Sequence, residues 1–170
     1  MDRVREGAGS VADAMPPADT TLIAANRRAR RNYDISETVE AGIVLHGSEV
    51  KSLREATVQI ADGFVRFEGR EAWLQGVHIA PYLFSQDHSG HDPDRHRKLL
   101  LHRRELDRLR TLVDLERVSI VPLSLYFKDG RAKVELGVGK GRKLHDKREV
   151  EATRDAQREI QRALADRRRS

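Results

Sequence analysis

Apolar and polar residues alternate over several short stretches between about residue 33 and residue 138. The odd-numbered positions from Val39 to Leu45 are all apolar, so they share one face of a β-strand. Asp129-Gly130 is a strong hairpin-turn signal between two further stretches, and Pro122 predicts an edge or a bulge in the first of them. The clearest strands are predicted at Tyr33 to Leu45, Phe64 to Phe67, Ala72 to Gln75, Val118 to Phe127 and Arg131 to Val138.

Two helices are predicted between these strands. Gly47-Ser48 can open a short helix that Ser48 caps and that turns Leu53 inward. A longer helix is predicted over Leu99 to Val113, because apolar residues recur there at helical spacing. Its apolar face consists of Leu106, Leu109 and Val113. The segment from Tyr82 to Arg97 has no period and is expected to be an exposed loop.

These elements predict a mainly β fold with α-helices. Strands this short in a meander favour an OB-like closed antiparallel barrel of about six strands with two or three helices, plus a basic C-terminal tail. We expect a disordered arm over residues 1–20, the barrel over 21–138 and the tail over 139–170. Trp73 is expected in the core, whereas Tyr126 could be a core residue or a platform on which a base stacks.

The charge of the chain is concentrated in the tail. From Gly139 to Ser170 there are eleven basic and six acidic residues, an excess equal to the net charge of +5 of all 170 residues. A neutral body that carries a basic arm indicates a polyanion as partner. The chain has no cysteine, no secretory signal and no apolar run that could span a membrane, so a cytoplasmic location is expected.

The tail has the composition of a helix with little apolar surface. Arg154, Arg158 and Arg162 form one stripe, and good helix formers continue from about Glu149 without Gly or Pro. Because such a helix gains little from propensity alone, we expect the tail to be largely disordered when free and helical against a partner. The alternative is a solvated helix that docks on its own domain through Ile160 and Leu164.

No pattern for catalysis or cofactor binding stands out. The histidines of one loop, His88, His91 and His96, lie among aspartates, but their spacing fits no metal site. The glycines at 137, 139 and 141 lack the Gly-Lys-Ser/Thr ending of a phosphate loop. We therefore expect no enzyme, no metal and no cofactor. The arginines at 103, 104, 108 and 110 are interpreted as a solvated helix face or as further RNA contacts.

Several ordered motifs between about Leu22 and Leu164 resemble the small protein B family, the SsrA-binding proteins that partner tmRNA. The matching segments are Asn26-Arg27-Arg28-Ala29-Arg30, Val39-Glu40-Ala41-Gly42-Ile43-Val44-Leu45, Gly47-Ser48-Glu49-Val50-Lys51-Ser52-Leu53-Arg54, Arg97-Lys98-Leu99-Leu100-Leu101-His102, Leu125-Tyr126-Phe127-Lys128 and Gly139-Lys140-Gly141-Arg142-Lys143-Leu144-His145-Asp146-Lys147-Arg148. One motif alone would be weak evidence, but their coincidence in order is specific.

The resemblance implies a function in trans-translation. The barrel would bind the tRNA-like domain of tmRNA and enter stalled ribosomes with it, in a delivery complex that includes elongation factor Tu. The tail would become helical in the vacant mRNA channel near the decoding centre. Two other functions are alternatives on the residues alone: a general ribosome-associated RNA-binding protein, and a metal-assisted nuclease that uses the histidine loop, for which the sequence gives no basis.

The resemblance also implies the site residues. Asn26 and Glu40 would hydrogen-bond RNA, the latter as an acceptor for a base amino group. Leu100 lies near the RNA surface, as does His102, which stands where some relatives have asparagine. The expected backbone contacts are Arg28, Arg30 and Lys51. The expected ribosome contacts in the tail are Lys140, Arg142, Lys143, His145, Lys147 and Arg148.

Overall fold

The structure is a computed structural model that describes residues 20–55, 57–82 and 90–169, so the expected N-terminal arm lies almost entirely outside the described residues. Its strands are β1 Thr20–Ala25, β2 Tyr33–Ile43, β3 Val58–Gln59, β4 Phe64–Glu68, β5 Glu71–Gln75, β6 His78–Ile79, β7 Arg97–Leu100, β8 Ser119–Lys128 and β9 Arg131–Gly141. Its helices are α1 Ala29–Asn32, α2 Gly47–Arg54, α3 Arg103–Glu116 and α4 Leu144–Arg169.

Seven of the strands form one antiparallel sheet in the order β1-β8-β9-β2-β7-β5-β4, and β3 pairs with β6 separately. The mainly β class is confirmed, but the closed barrel is wrong, because among the described residues no ladder joins the edge strands β1 and β4. The chain approaches closure where Gly63, just before β4, packs against Pro122 of β8, whose ring a Cβ on Gly63 would meet at 2.6 Å. Pro122 has no N–H to donate to a ladder there. The OB-like architecture stays a prediction.

The hairpin and the bulge agree with the sequence. Asp129 and Gly130 both have positive φ, 51° and 74°, and they connect β8 to β9. The register of that pair shifts between Pro122 and Ser124, which is the predicted bulge. β9 continues to Gly141, three residues beyond the boundary expected at residue 138, and its last residues pair with the start of β2.

The core lies between the inner face of the sheet and the helices. Leu106 and Leu109 of α3 and Leu53 of α2 are buried in it, as the helical spacing predicts. The sheet contributes mainly aliphatic side chains: Ala41, Leu74, Leu99, Leu125, Val134 and Leu136. Trp73 is not in this core, contrary to expectation. It alternates with the buried Ala72 and Leu74 on β5, so it lies on the outer face.

The predicted helix over Leu99 to Val113 is two elements. Leu99 belongs to β7 and pairs with Ile43 and Ala72, and α3 begins only at Arg103. The Glu105 carboxylate accepts the His102 N–H at 3.3 Å, which satisfies a donor at the start of the helix. The apolar residues of a strand and of the following helix therefore merged into one apparent helical pattern.

An ion cluster is buried between α2 and the start of β7, with the residues just before it. Glu49 and Arg97 are both fully buried, and their Oε2 and Nε atoms are 3.1 Å apart. Arg95 donates to the same carboxylate at 2.8 Å, and Arg97 also donates to the Val77 carbonyl. Burial raises the pKa of Glu49, but the hydrogen bond from Arg95 and the charge of Arg97 outweigh it and hold the pKa below its usual range. The exposed loop expected over Tyr82 to Arg97 is thus wrong for Arg97, which is buried in β7, whereas Asp94 and His96 are exposed.

The tail helix α4 contacts the body near its beginning. Just before the helix, the Arg142 N–H donates to the Asn32 carbonyl at 2.7 Å, and within it Glu151 pairs with Arg31 of α1 at 2.7 Å. The helix thus meets its own domain, as the alternative expected, but not through Ile160 and Leu164, which are 60% and 54% exposed. The expected disorder of the free tail stays a prediction. No helix of the described residues is both long and apolar enough to cross a membrane.

Candidate RNA interface

The outer face of the sheet carries the expected acidic residue. Ala41 and Ile43 of β2 are buried, so Glu40 and Gly42 point to the opposite, outer face. Gly42 lies across from Leu100 on β7 and from Lys133 on β9, and Lys133 lies across from Tyr126 on β8. The register therefore gathers residues from four strands around Glu40.

Glu40 is held by two neighbours on β8. The Tyr126 hydroxyl donates a short hydrogen bond to Glu40 Oε2, and Lys128 Nζ lies 3.4 Å from Oε1. The hydrogen bond from Tyr126 lowers the pKa of Glu40, and Lys128 lowers it further against the opposing effect of burial. Burial and the Glu40 carboxylate in turn raise the pKa of Tyr126. Glu40 is therefore an oriented carboxylate at neutral pH, able to accept a hydrogen bond from a base.

Leu100 presents apolar surface beside this carboxylate. It is 55% exposed, and a Cβ on Gly42 would lie 3.1 Å from the Leu100 Cβ, so the glycine leaves room for it. Glu40, Leu100 and His102 line one open cleft of about 1250 Å³, which also receives Arg131 and Lys133. The structure thus brings together three of the expected RNA-binding residues and supplies cations next to them.

The other expected RNA-binding residues lie elsewhere. Asn26 is buried, donates to the Pro122 carbonyl at 2.9 Å and accepts the Ala29 N–H at 3.2 Å, so its amide fixes α1 to β8. An RNA contact by this amide would have to replace those bonds. Arg28 precedes α1 and is exposed, and Arg30 on α1 is half-buried. Lys51 on α2 places its ammonium 5.6 Å from the centre of the Tyr82 ring.

The expected tail contacts divide between the sheet and α4. Lys140 belongs to β9, and Arg142 lies 3.6 Å from Asp34 of β2, so both are attached to the body. Lys143 and Arg148 are exposed and Lys147 is half-buried, while the side chain of His145 lies outside the described residues. Farther along α4, two arginines share a cleft with the basic run before β2. The arginines of that cleft are Arg27, Arg30, Arg154 and Arg158.

The histidine loop has packing functions in the part that the structure describes. His91 is buried, with Nδ1 2.9 Å from Ser48 Oγ and Nε2 2.9 Å from the Ile79 carbonyl oxygen. Ser48 is therefore not the expected cap of α2, which begins one residue before it. His78 pairs with Asp94 at 2.8 Å. His88 lies outside the described residues, and among the others no group of three possible metal ligands occurs.

Sequence reasoning missed the residues that support Glu40. Tyr126 is only 4% exposed, so it acts through its hydroxyl and does not offer its ring as a stacking platform. Lys128 and Lys133 are placed beside Glu40 by the pairing of β2, β8 and β9. Only the register of those strands could have identified them.

An antiparallel sheet with a charged, open outer face and a basic terminal helix defines a class of proteins suited to polyanions. The family model described as SmpB protein matches residues 23–166, and the chain belongs to this family. It is similar to the SsrA-binding protein of Chloroflexus aurantiacus, with 55% identity over 84% of this chain and 89% of the relative. The SsrA-binding protein of Roseiflexus castenholzii is 52% identical over 86% and 92%.

A solved structure is also similar to this chain. The two chains are 48% identical, and the match covers 71% of this chain and 85% of the other, with a TM-score of 0.59. That structure is described as "tmRNA-SmpB: a journey to the center of the bacterial ribosome".

Proposed function

We propose that this chain is a non-enzymatic tmRNA-binding protein of trans-translation in the cytoplasm. The outer face of its sheet binds the tRNA-like domain of tmRNA, and the complex, with elongation factor Tu, enters stalled ribosomes. The observation that carries the proposal is the open cleft that Glu40, Leu100 and His102 help to line. Family membership supports it, as do the names of the relatives and the description of the solved structure.

The chemistry of the cleft suits a shaped RNA surface. Glu40 accepts hydrogen bonds and repels phosphates, so it favours a base edge over the RNA backbone. Arg131 and Lys133 line the same cleft and can bind the phosphates on either side of that base. Leu100 adds apolar contact area between the two kinds of polar group.

The tail has a separate task in this proposal. It follows the vacant mRNA channel near the decoding centre as a helix, with its cations against ribosomal RNA. The support is the length and charge of α4, most of whose described side chains are exposed. The ribosome-facing residues we propose are those named above, from Lys140 to Arg148.

A matched pair of substitutions tests the sheet. Glu40→Gln removes a charge-assisted hydrogen bond worth about 1.5–3 kcal/mol and should weaken tmRNA binding at least tenfold. Glu135→Gln is the control, because Glu135 lies directly across from Glu40 on the same face but accepts a hydrogen bond from the Ser124 hydroxyl. Equal effects of the two substitutions in an equilibrium binding assay would contradict the assignment of Glu40.

A truncation tests the division between body and tail. The chain is ended after Lys143, which keeps all of β9 and the bond from Arg142 to Asn32. We expect tmRNA binding to survive and peptide tagging on stalled ribosomes to be lost. A general ribosome-associated RNA-binding protein would instead lose most of its RNA affinity with the tail and discriminate little between RNAs.

A further inference from the structure

The only tryptophan of the chain lies on the outer face of the sheet between two cations. Trp73 on β5 is directly across from Arg66 on β4 and from Lys98 on β7. Its strand neighbours Ala72 and Leu74 are 0% and 1% exposed on the other face. Facing residues on neighbouring strands have Cβ atoms about 5 Å apart, so the two cations flank the indole.

Core packing does not explain this tryptophan. Trp73 is half-buried and lies outside the apolar cluster between the sheet and the helices. Arg66 is exposed and makes no ion pair within the described residues, while Lys98 Nζ is 2.8 Å from Glu71. A large aromatic ring with cations on both sides is the composition of sites that hold unpaired nucleotides, in which bases stack and phosphates are neutralised.

Trp73 adjoins the cleft around Glu40 through its cross-strand neighbour Lys98. Lys98 and Glu71 line that cleft, and Leu100 follows Lys98 by two residues on the same face of β7. Trp73 is on the next strand, about 5 Å farther in the hydrogen-bonding direction. Trp73 is therefore one strand away from the cleft, beside Lys98 of its lining.

We propose that Trp73 is a stacking platform for an unpaired base of the bound RNA, with Arg66 and Lys98 on the adjoining phosphates. This inference rests on the proposed function and assigns it a further subsite at the β4 side of the sheet. The ring needs no sequence-specific hydrogen bond, so the site is expected to accept any base that the RNA presents unstacked.

The lone tryptophan makes the test direct, because all tryptophan fluorescence of the full-length protein comes from Trp73. The protein is titrated with tmRNA transcript while emission, and its quenching by acrylamide, are recorded. Stacking predicts quenched emission and lost acrylamide access that saturate together with binding. Emission and access that stay unchanged while tmRNA binds would overturn the inference alone, and an absence of tmRNA binding would overturn it together with the proposed function.

Substitutions separate stacking from mere proximity. Trp73→Leu should weaken tmRNA binding roughly tenfold and Trp73→Phe much less, since a benzene ring still stacks. Phe64→Leu is the control: Phe64 is 43% exposed on the same face of β4, but it lies across from Gln75 and not from a cation. Circular dichroism and the thermal midpoint verify that each variant is folded. A Trp73→Leu variant that is folded and binds as tightly as the parent would refute the stacking platform.

Discussion

Glu49→Gln removes one negative charge from the buried ion cluster and keeps the shape of the side chain. In the parent, the two carboxylate oxygens accept from Arg95 Nε at 2.8 Å, from another Arg95 nitrogen at 3.2 Å and from Arg97 Nε at 3.1 Å. A glutamine has one acceptor oxygen and an NH₂ group that must face an arginine donor. The substitution therefore breaks at least one hydrogen bond and leaves Arg97, which is fully buried, without its counter-charge.

The loss of unfolding free energy depends on which of the two arginines can turn its charge into water. Arg95 has 25% of its side chain exposed and can turn outward, whereas Arg97 has none and is held to the Val77 carbonyl. Breaking a buried pair by removing one partner costs about 3–5 kcal/mol. Because one of the two arginines can relax, we expect the lower end, about 3 kcal/mol of unfolding free energy.

Urea denaturation followed by circular dichroism measures this loss. With a slope of about 2 kcal/mol per M, the midpoint should fall by about 1.5 M. Glu71→Gln is the control, since its pair with Lys98 is roughly half exposed and should contribute well under 1 kcal/mol. A loss below about 1 kcal/mol for Glu49→Gln would refute the view that the cluster stabilises the fold through its charge.

The stability difference between the parent and the same variant should depend on pH. The pKa of Glu49 is held below its usual range in the folded protein, so its contribution is complete above the unfolded pKa of about 4.3. That contribution is lost as the pH falls through the folded pKa, because the unfolded chain then binds the proton more readily. The stability difference between the parent and Glu49→Gln should therefore be constant from about pH 6 to 8 and shrink below about pH 4.

Two further substitutions test close contacts on the sheet. A Cβ at Gly139 would lie 2.1 Å from the Asp34 carbonyl oxygen, so Gly139→Ala should lower stability by at least about 2 kcal/mol in urea. Gly141→Ala, two residues on, has open space and should change it by less than about 0.5 kcal/mol. Tyr126→Phe removes the donor to Glu40 and should raise the pKa of Glu40 in an NMR titration. Equal stability of the two alanine variants, or an unchanged pKa, would contradict these contacts.

The sequence predicts those parts of the fold whose pattern is local. β2 and the first part of β9 alternate apolar and polar residues, β8 is an almost continuous apolar run, and the hairpin between β8 and β9 has its own turn residues. β3 and β6 have two residues each, too few for any period. Short strands are specified by their partners across the sheet, which no local window contains.

Long-range partners also limit what could be predicted of the site. Glu40, Leu100 and His102 follow from family resemblance, but the hydroxyl of Tyr126 reaches Glu40 across 86 positions of sequence. The sequence pattern puts Arg97 in a polar loop, and only the structure shows that the carboxylate of Glu49 lies beside it. Trp73 reads as a core residue because a large aromatic is usually buried, and only the register places it on the outer face.

The attachment of α4 near its beginning gives the tail a defined reach. Its 26 residues measure about 39 Å as a helix, whereas the same residues fully extended would measure up to about 90 Å. As a helix the tail is therefore less than half as long as the same residues fully extended, and it forms a rod that pairs with the body at Arg31. Such a rod sets the distance between whatever the sheet holds and whatever its far end meets, so the length of this helix works as a ruler.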